Sequence, residues 1–266
     1  MSVKLIFLKL GGSLVTDKAQ PHTPRLQVIE RLAGEIAAAR AEDMGLRILL
    51  GHGSGSFGHF PASQYKTRLG VKSAEEWRGF MQVWRAAAGL NHLVMQALER
   101  AGLPALVFPP SAMVITQVGK VASWDLDPLR QAIDRGLLPV IYGDVVFDTQ
   151  LGGTILSTED LLAHLAGYFQ PARLLLAGSQ PGVWADFPEN TRLLPEITPA
   201  SYPHIGSGLS GSTATDVTGG MSGKVRQVIS MLEAHPGLCA SIFSGEVSGN
   251  LRRALLGEAL GTQVHG

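Results

Sequence analysis

Apolar positions along the chain follow two periods that take turns. Val3 to Leu10, "VKLIFLKL", is an apolar run that predicts a first strand. From Pro24 to Glu42, Leu26, Ile29, Leu32 and Ile36 recur at helical spacing, with Pro24 near the helix start. Leu46 to Leu50 predicts a second strand, and Ala74 to Arg100 a long helix ended by Gly102 and Pro104. Further strands are expected at Ala105 to Phe108 and Leu138 to Tyr142. Val145 to Phe147 and Thr154 to Leu156 flank "DTQLGG" in the manner of a hairpin. Ser157 reads as the N-cap of a helix over Thr158 to Tyr168, with Asp160 in its first turn. Arg173 to Ala177 is another buried strand, and Gly206 to Gly223 a Gly/Ser/Thr-rich stretch expected to be a mobile loop. Met221 to Ala234 reads as a helix, and Ser241 to Phe243 as the strand that closes the sheet. Strands alternating with helices predict an α/β fold with a largely parallel sheet. A change of composition near Arg173 places a lobe boundary there, giving lobes 1–172 and 173–266.

Composition narrows the partners. Of 266 residues 45% are hydrophobic and 17% charged, enough for a sizeable core. Lys+Arg and Asp+Glu balance at 22 each, so neither nucleic acid nor an anionic membrane is expected as the main partner. Cys239 is the only cysteine, which excludes an internal disulfide. Its neighbours, "LCASIFS", predict a buried, structural role. No apolar run reaches the ~18 residues of a membrane span, and the N-terminus lacks a signal-peptide layout. A soluble, cytoplasmic protein is expected.

The candidate chemistry lies in the glycines. "GSGSFG", Gly53 to Gly58, matches G-x-G-x-x-G, but it follows the second strand. Glu75 and Glu76, at about the right distance for a ribose-binding carboxylate, open a helix, so the dinucleotide fingerprint is incomplete. Glycine turns recur with lysines in "KLGGSLVTDK" (Lys9, Gly11, Gly12, Lys18) and "TGGMSGK" (Thr218 to Lys224), and again as "QLGGT" at Gly152 and Gly153. "TGGMSGK" is not a Walker A loop, because Thr218 stands for the first glycine and Val225 follows the lysine. Backbone N–H groups freed by glycine, next to strand ends and helix starts, suit a site for several phosphates.

Taken in order, "KLGGSLVTDK", "GHGSGSFGH", "YGDVVFD…GGT", "STEDLLAHLA", "PGVWADFP" and "DVTGGMSGKV" resemble the amino acid kinase family over nearly the whole chain. His59, at the end of the glycine loop, marks the branch of isopentenyl phosphate kinases. The resemblance implies a three-layer αβα sandwich, a homodimer, and transfer of the ATP γ-phosphoryl group to isopentenyl phosphate with Mg²⁺ as counter-ion. It assigns catalysis to Lys9, Lys18, His59, Asp160 and Lys224, with Asp160 orienting the lysines. Nucleotide contacts fall to Gly11, Gly12, Ser13, Ser54, Ser179, Gly182, Gly220 and Lys224. The acceptor falls to Gly53, Ser54, Gly55, Gly58, His59 and Gly153, and the two lobes to acceptor and nucleotide respectively. His52 reads as structural, and Asp144 as either a backbone acceptor or a lysine orienter. Phe80, Met81, Trp84 and Ala88 form an apolar helix stripe, a subset of which is expected to line a five-carbon pocket. The chain departs from the pattern at Ser54, where the family has glycine. It departs again in "GSQPGVWADFP", where Gln180 and Pro181 replace acidic residues, which bears on nucleotide preference. Two other readings are a fosfomycin-kinase-like enzyme and a non-catalytic nucleotide-binding protein.

Overall fold

The computed structural model describes residues 4–17, 19–205 and 220–266. Lys18 and residues 206–219 of the Gly/Ser/Thr-rich stretch therefore lie outside the described residues. The chain begins with β1 (Leu5–Leu10), a single turn α1 (Gly12–Val15), α2 (Leu26–Glu42) and β2 (Arg47–His52). Next come α3 (Gly55–Tyr65), a 3₁₀ turn (Thr67–Leu69), the long α4 (Ala74–Arg100), β3 (Ala105–Val107) and α5 (Pro110–Met113). The middle holds β4 (Val114–Gln117), β5 (Lys120–Trp124), α6 (Asp127–Asp134), β6 (Leu138–Tyr142), β7 (Asp144–Asp148), β8 (Gly152–Leu156) and α7 (Thr158–Phe169). The last third holds β9 (Arg173–Gly178), β10 (Val183–Trp184), β11 (Leu193–Leu194), β12 (Glu196–Ile197) and α8 (Tyr202–Ile205). It ends with α9 (Gly220–Ala234), β13 (Cys239–Ser244), α10 (Asn250–Leu255) and β14 (Thr262–Val264).

The main sheet runs β12-β14-β13-β9-β1-β2-β6-β3. From β3 to β13 every neighbouring pair is parallel, and β14 adds antiparallel to β13. All six residues of β1 are buried, as expected of a strand covered on both faces. Its alternation divides the core. Phe7 joins Leu49, Leu162 and Val228 on the face under α7 and α9. Ile6 and Leu8 join Leu32, Ile36 and Leu90 on the face under α2 and α4. The result is helix, sheet, helix. A smaller sheet, β5-β4-β7-β8, lies beside it. There Val145 packs with Val71, Phe80 and Val83 in a separate cluster. Asp148 ties its turns, accepting from Thr116 Oγ1, Gly119 N and Leu151 N at 2.8 Å each. Those contacts hold its carboxyl well below the usual carboxylate range although burial acts the other way.

Several expectations need correction. Ser241–Phe243 does not close the sheet: it lies inside β13, between β9 and β14, because the last residues of the chain return as a strand. Cys239 is exposed, being the first residue of β13 at the rim of the sheet. α2 starts at Leu26, since Pro24 is held in a bridge with Thr16. Of the two expectations that overlap at Met221 to Gly223, the helix holds, and α9 starts one residue earlier, at Gly220. β4, β5 and α6 were not anticipated; β5 has no fully buried position and α6 is two turns long.

Candidate active site

β1 and β2 are neighbours, so their C-terminal turns emerge side by side. Gly11 N donates to Ala177 O at 2.8 Å and Gly53 N to Leu10 O at 3.0 Å, which fixes both turns to the sheet. The turns touch backbone to backbone. A Cβ on Gly12 would stand 2.6 Å from Gly55 N, and one on Gly53 2.9 Å from Gly12 N. Gly55 has φ +49, and its Cβ would lie 2.1 Å from Thr16 Oγ1, so both conformation and space require glycine. The starts of α1 and α3 are thereby brought together. First-turn N–H groups of a helix have no intrahelical acceptor and carry positive potential, so this junction favours an anion.

Beside it is a cavity of about 460 Å³. Its lining combines polar and charged residues, among them Lys9, Ser54, His59, Lys66, Arg68 and Lys224, with the apolar side chains of Ala62, Leu69, Val83, Ile155 and Leu156. A smaller cavity of about 40 Å³ is lined by Gly11, Ser179, Gln180, Met221 and Ile242. Lys9, Ser13, Glu159 and Lys224 line both, so the two cavities meet at a pair of lysines and a carboxylate. Lys9 Nζ lies 2.8 Å from Glu159 Oε1, and both side chains are buried. Burial works to raise the Glu159 carboxyl, but Lys9 and then Lys224 outweigh it and hold the group below its ordinary range. The N-terminus of α7 reaches this point because Gly51 leaves room for it. A Cβ there would meet Thr158 Cγ2 at 2.5 Å, and Thr158 Oγ1 donates to His52 O at 2.7 Å.

The sequence-derived candidates divide accordingly. Lys9, Gly12, Ser13, Gly53, Ser54, Gly55, Gly58, His59 and Lys224 converge on the larger cavity. Gly11 and Ser179 converge on the smaller one. Gly53 and Gly58 line the cavity, but their N–H groups go to Leu10 O and Ser54 O, which leaves the anion-binding donors to the start of α3. Gly153 lies outside both linings; its missing Cβ makes room for the Phe80 ring, which would be 2.8 Å away. Gly182 packs on Thr262 in the same way, and Gly220 is a left-handed residue at the start of α9; neither is in the lining of these two cavities. Asp160 closes a capping box with Ser157 and accepts from Arg68 at 3.1 Å and Gln227 at 2.8 Å. The carboxylate beside Lys9 is its neighbour, Glu159, which the sequence reading missed.

Trp84 and Met81 point to solvent, 43% and 51% exposed, while Phe80 is buried. From α4 it is Val83, one residue before Trp84, that lines the cavity. His52 is fully buried between Asn91 and Tyr142, and burial lowers its pKa. Asp144 accepts backbone N–H groups of Ser111 and Val145, and burial pushes it up to about 6.

The model of the amino acid kinase family matches residues 4–241. The chain belongs to the amino acid kinase family. Among its relatives in that family, the isopentenyl phosphate kinase of Methanothermobacter thermautotrophicus is 35% identical over 98% of this chain and 99% of its own. That of Methanocaldococcus jannaschii is 32% identical over 98% of each. An X-ray structure of an isopentenyl phosphate kinase superposes with a TM-score of 0.82 at 32% identity, covering 98% of this amino acid kinase and 99% of the other chain.

Proposed function

We propose that this amino acid kinase transfers the γ-phosphoryl group of ATP to isopentenyl phosphate, giving isopentenyl diphosphate and ADP. The observation that carries the reading is one cavity lined both by cations and a helix start and by the apolar side chains of Val83, Ile155 and Leu156. A phosphate with a short hydrocarbon tail calls for both kinds of lining. The likeness to isopentenyl phosphate kinases over nearly the full length supports it.

An oxygen of the acceptor phosphate attacks the γ-phosphorus, the bond from that phosphorus to the β-bridging oxygen breaks, and ADP leaves with the electron pair. The acceptor's second pKa is about 6, so it is largely ionised near neutral pH and no strong base is needed. The protein's task is alignment and offset of charge. Lys9 and Lys224, shared by both cavities, sit where the transferring group must pass, and Glu159 holds Lys9 in place. His59 hydrogen-bonds the acceptor phosphate, and the N–H groups of Ser54 and Gly55 donate to its oxygens. Lys18 is assigned to transition-state stabilisation on its sequence context. Mg²⁺ carried in with ATP would offset charge on the phosphates. Among the described residues no group of three His, Cys, Asp or Glu side chains is placed to hold a metal.

We assign residues 1–172 to the acceptor and 173–266 to the nucleotide. In support, Leu176, Gly178, Ser179 and Ile242 line the smaller cavity. A cytoplasmic homodimer belongs to the same proposal. The test is turnover of isopentenyl phosphate, dimethylallyl phosphate and fosfomycin side by side with Mg-ATP, for the wild type and His59→Ala. Isopentenyl phosphate should be the best acceptor and His59→Ala should lose most of its kcat/KM. Preference for fosfomycin, ATP binding without turnover, or an unaffected variant would each overturn the assignment.

A further inference from the structure

We infer that Asp160 is a junction through which the wall of the acceptor cavity and the helix carrying Lys224 hold each other in position. One carboxylate joins three elements. Its Oδ1 accepts from Gln227 Nε2 on α9 at 2.8 Å. Its Oδ2 accepts from Arg68 Nη2 of the 3₁₀ turn at 3.1 Å and from Ser157 N at the head of α7 at 2.9 Å. A capping box needs only the last of these contacts. The other two tie the head of α7 to two further elements.

Gln227 lies three residues beyond Lys224 on α9, so both are on one side of the helix, about a turn apart. Lys224 lines both cavities, whereas Arg68 lines only the larger. The head of α7 also carries Glu159, partner of Lys9. A shift of Arg68 is thus passed by one rigid carboxylate to the helix face that presents Lys224. As a bond, the Arg68–Asp160 pair adds little to stability, since the two side chains are 43% and 24% exposed. Its effect is positional. The charge-assisted bond to Gln227 is the stronger link. Asp160, Gln227 and Arg68 are in this sense positioning residues, acting on the nucleotide phosphates through Lys224.

The inference rests on the phosphoryl-transfer reading for what fills the cavities, but its test needs no acceptor. Calorimetry on the full chain compares a non-hydrolysable ATP analogue with AMP. Gln227→Met keeps side-chain length and helix propensity while removing the amide. It should weaken the analogue about tenfold and leave AMP within about twofold, with an unchanged thermal midpoint. On a Lys224→Ala background the same substitution should have no further effect, because both act through one group. Arg68→Met, which touches only the acceptor cavity, should weaken the analogue with the same selectivity. Three results would each overturn the junction: equal weakening of analogue and AMP, a full additive effect on the Lys224→Ala background, or wild-type analogue affinity in Arg68→Met. If instead the wild type binds the analogue but does not phosphorylate isopentenyl phosphate, the acceptor assignment fails and the junction test is unaffected.

Discussion

Replacing Glu159 by Gln asks which carboxylate governs the lysines. Lys9 Nζ and Glu159 Oε1 are 2.8 Å apart, and their side chains are only 6% and 9% exposed. At an effective dielectric of about 20, unit charges at that separation attract by ~6 kcal/mol, and desolvation of the two ions cancels much of it. Removing one partner alone leaves a buried ammonium facing a neutral amide, a change that costs about 3–5 kcal/mol. Urea unfolding of ligand-free Glu159→Gln should show a loss of that order. The pH dependence has a definite sign. Glu159 is held below its ordinary range, so the pair's contribution is full above that range and is lost as pH falls through the lowered value. The gap between wild type and variant should therefore be constant at neutral pH and narrow in acid.

ATP provides the second half of the test. Its phosphates bring the negative charge that Lys9 has lost, so ATP should raise the unfolding midpoint more in Glu159→Gln than in the wild type. Turnover should go the other way. An unheld Lys9 no longer meets the developing charge, and kcat should fall about a hundredfold, the scale of losing one aligned donor. KM for ATP should not rise, because a carboxylate repelling the phosphates has gone. Asp160→Asn keeps an oxygen for the cap and should cost less than about tenfold. The reasoning fails if Glu159→Gln keeps kcat within about threefold of wild type, or if Asp160→Asn is the more damaging change.

Three further outcomes are expected. Val83→Phe should take up space in the larger cavity and raise KM for isopentenyl phosphate with KM for ATP unchanged, while Trp84→Ala, on the solvent side of α4, should alter neither; steady-state kinetics with each substrate varied separates them. Gly55→Ala places a Cβ 2.1 Å from Thr16 Oγ1 at φ +49, and thermal unfolding should show a loss of about 2 kcal/mol or more together with activity. Asp144, raised to about 6, favours the folded state when protonated, so its contribution is full in acid and is lost as pH rises through 6. Against Asp144→Asn, wild-type stability should drop by at most about 3 kcal/mol between pH 4 and pH 7; the altered hydrogen bonding in the variant is independent of pH, so only the slope is diagnostic.

How legible was this in the sequence? α4 was found at both ends because Ser73 caps it with Glu76 and Gly102 with Pro104 ends it. β1, β2, β6 and β9 announced themselves as apolar runs because both faces of the central sheet are covered. β4 and β5 did not, since one face of their small sheet meets solvent and Ile115 and Val118 stay exposed. The glycines at 12, 53 and 55 were read as candidates for holding phosphate, but nothing in their spacing reveals that two turns press together there. Nor could spacing alone tell Val83 from Trp84. Both are apolar, one residue apart, and the side of α4 that meets the cavity is set by how the β7–β8 hairpin packs on it.

The displacement from Asp160 to Glu159 has a cause that the sequence did contain. Ser157 is the N-cap of α7, which makes Asp160 the third residue of the helix. In a capping box that side chain turns back to the N-cap N–H, as Asp160 does to Ser157 at 2.9 Å. Successive helical residues are about 100° apart around the axis, so the second residue cannot share the direction of the third. One of the two must face the cap, and the other is then free to face the strand ends where Lys9 stands. A helix opening with Ser-Thr-Glu-Asp beside a buried lysine therefore divides its carboxylates by geometry. The fourth letter anchors the helix, and the third points to the lysine.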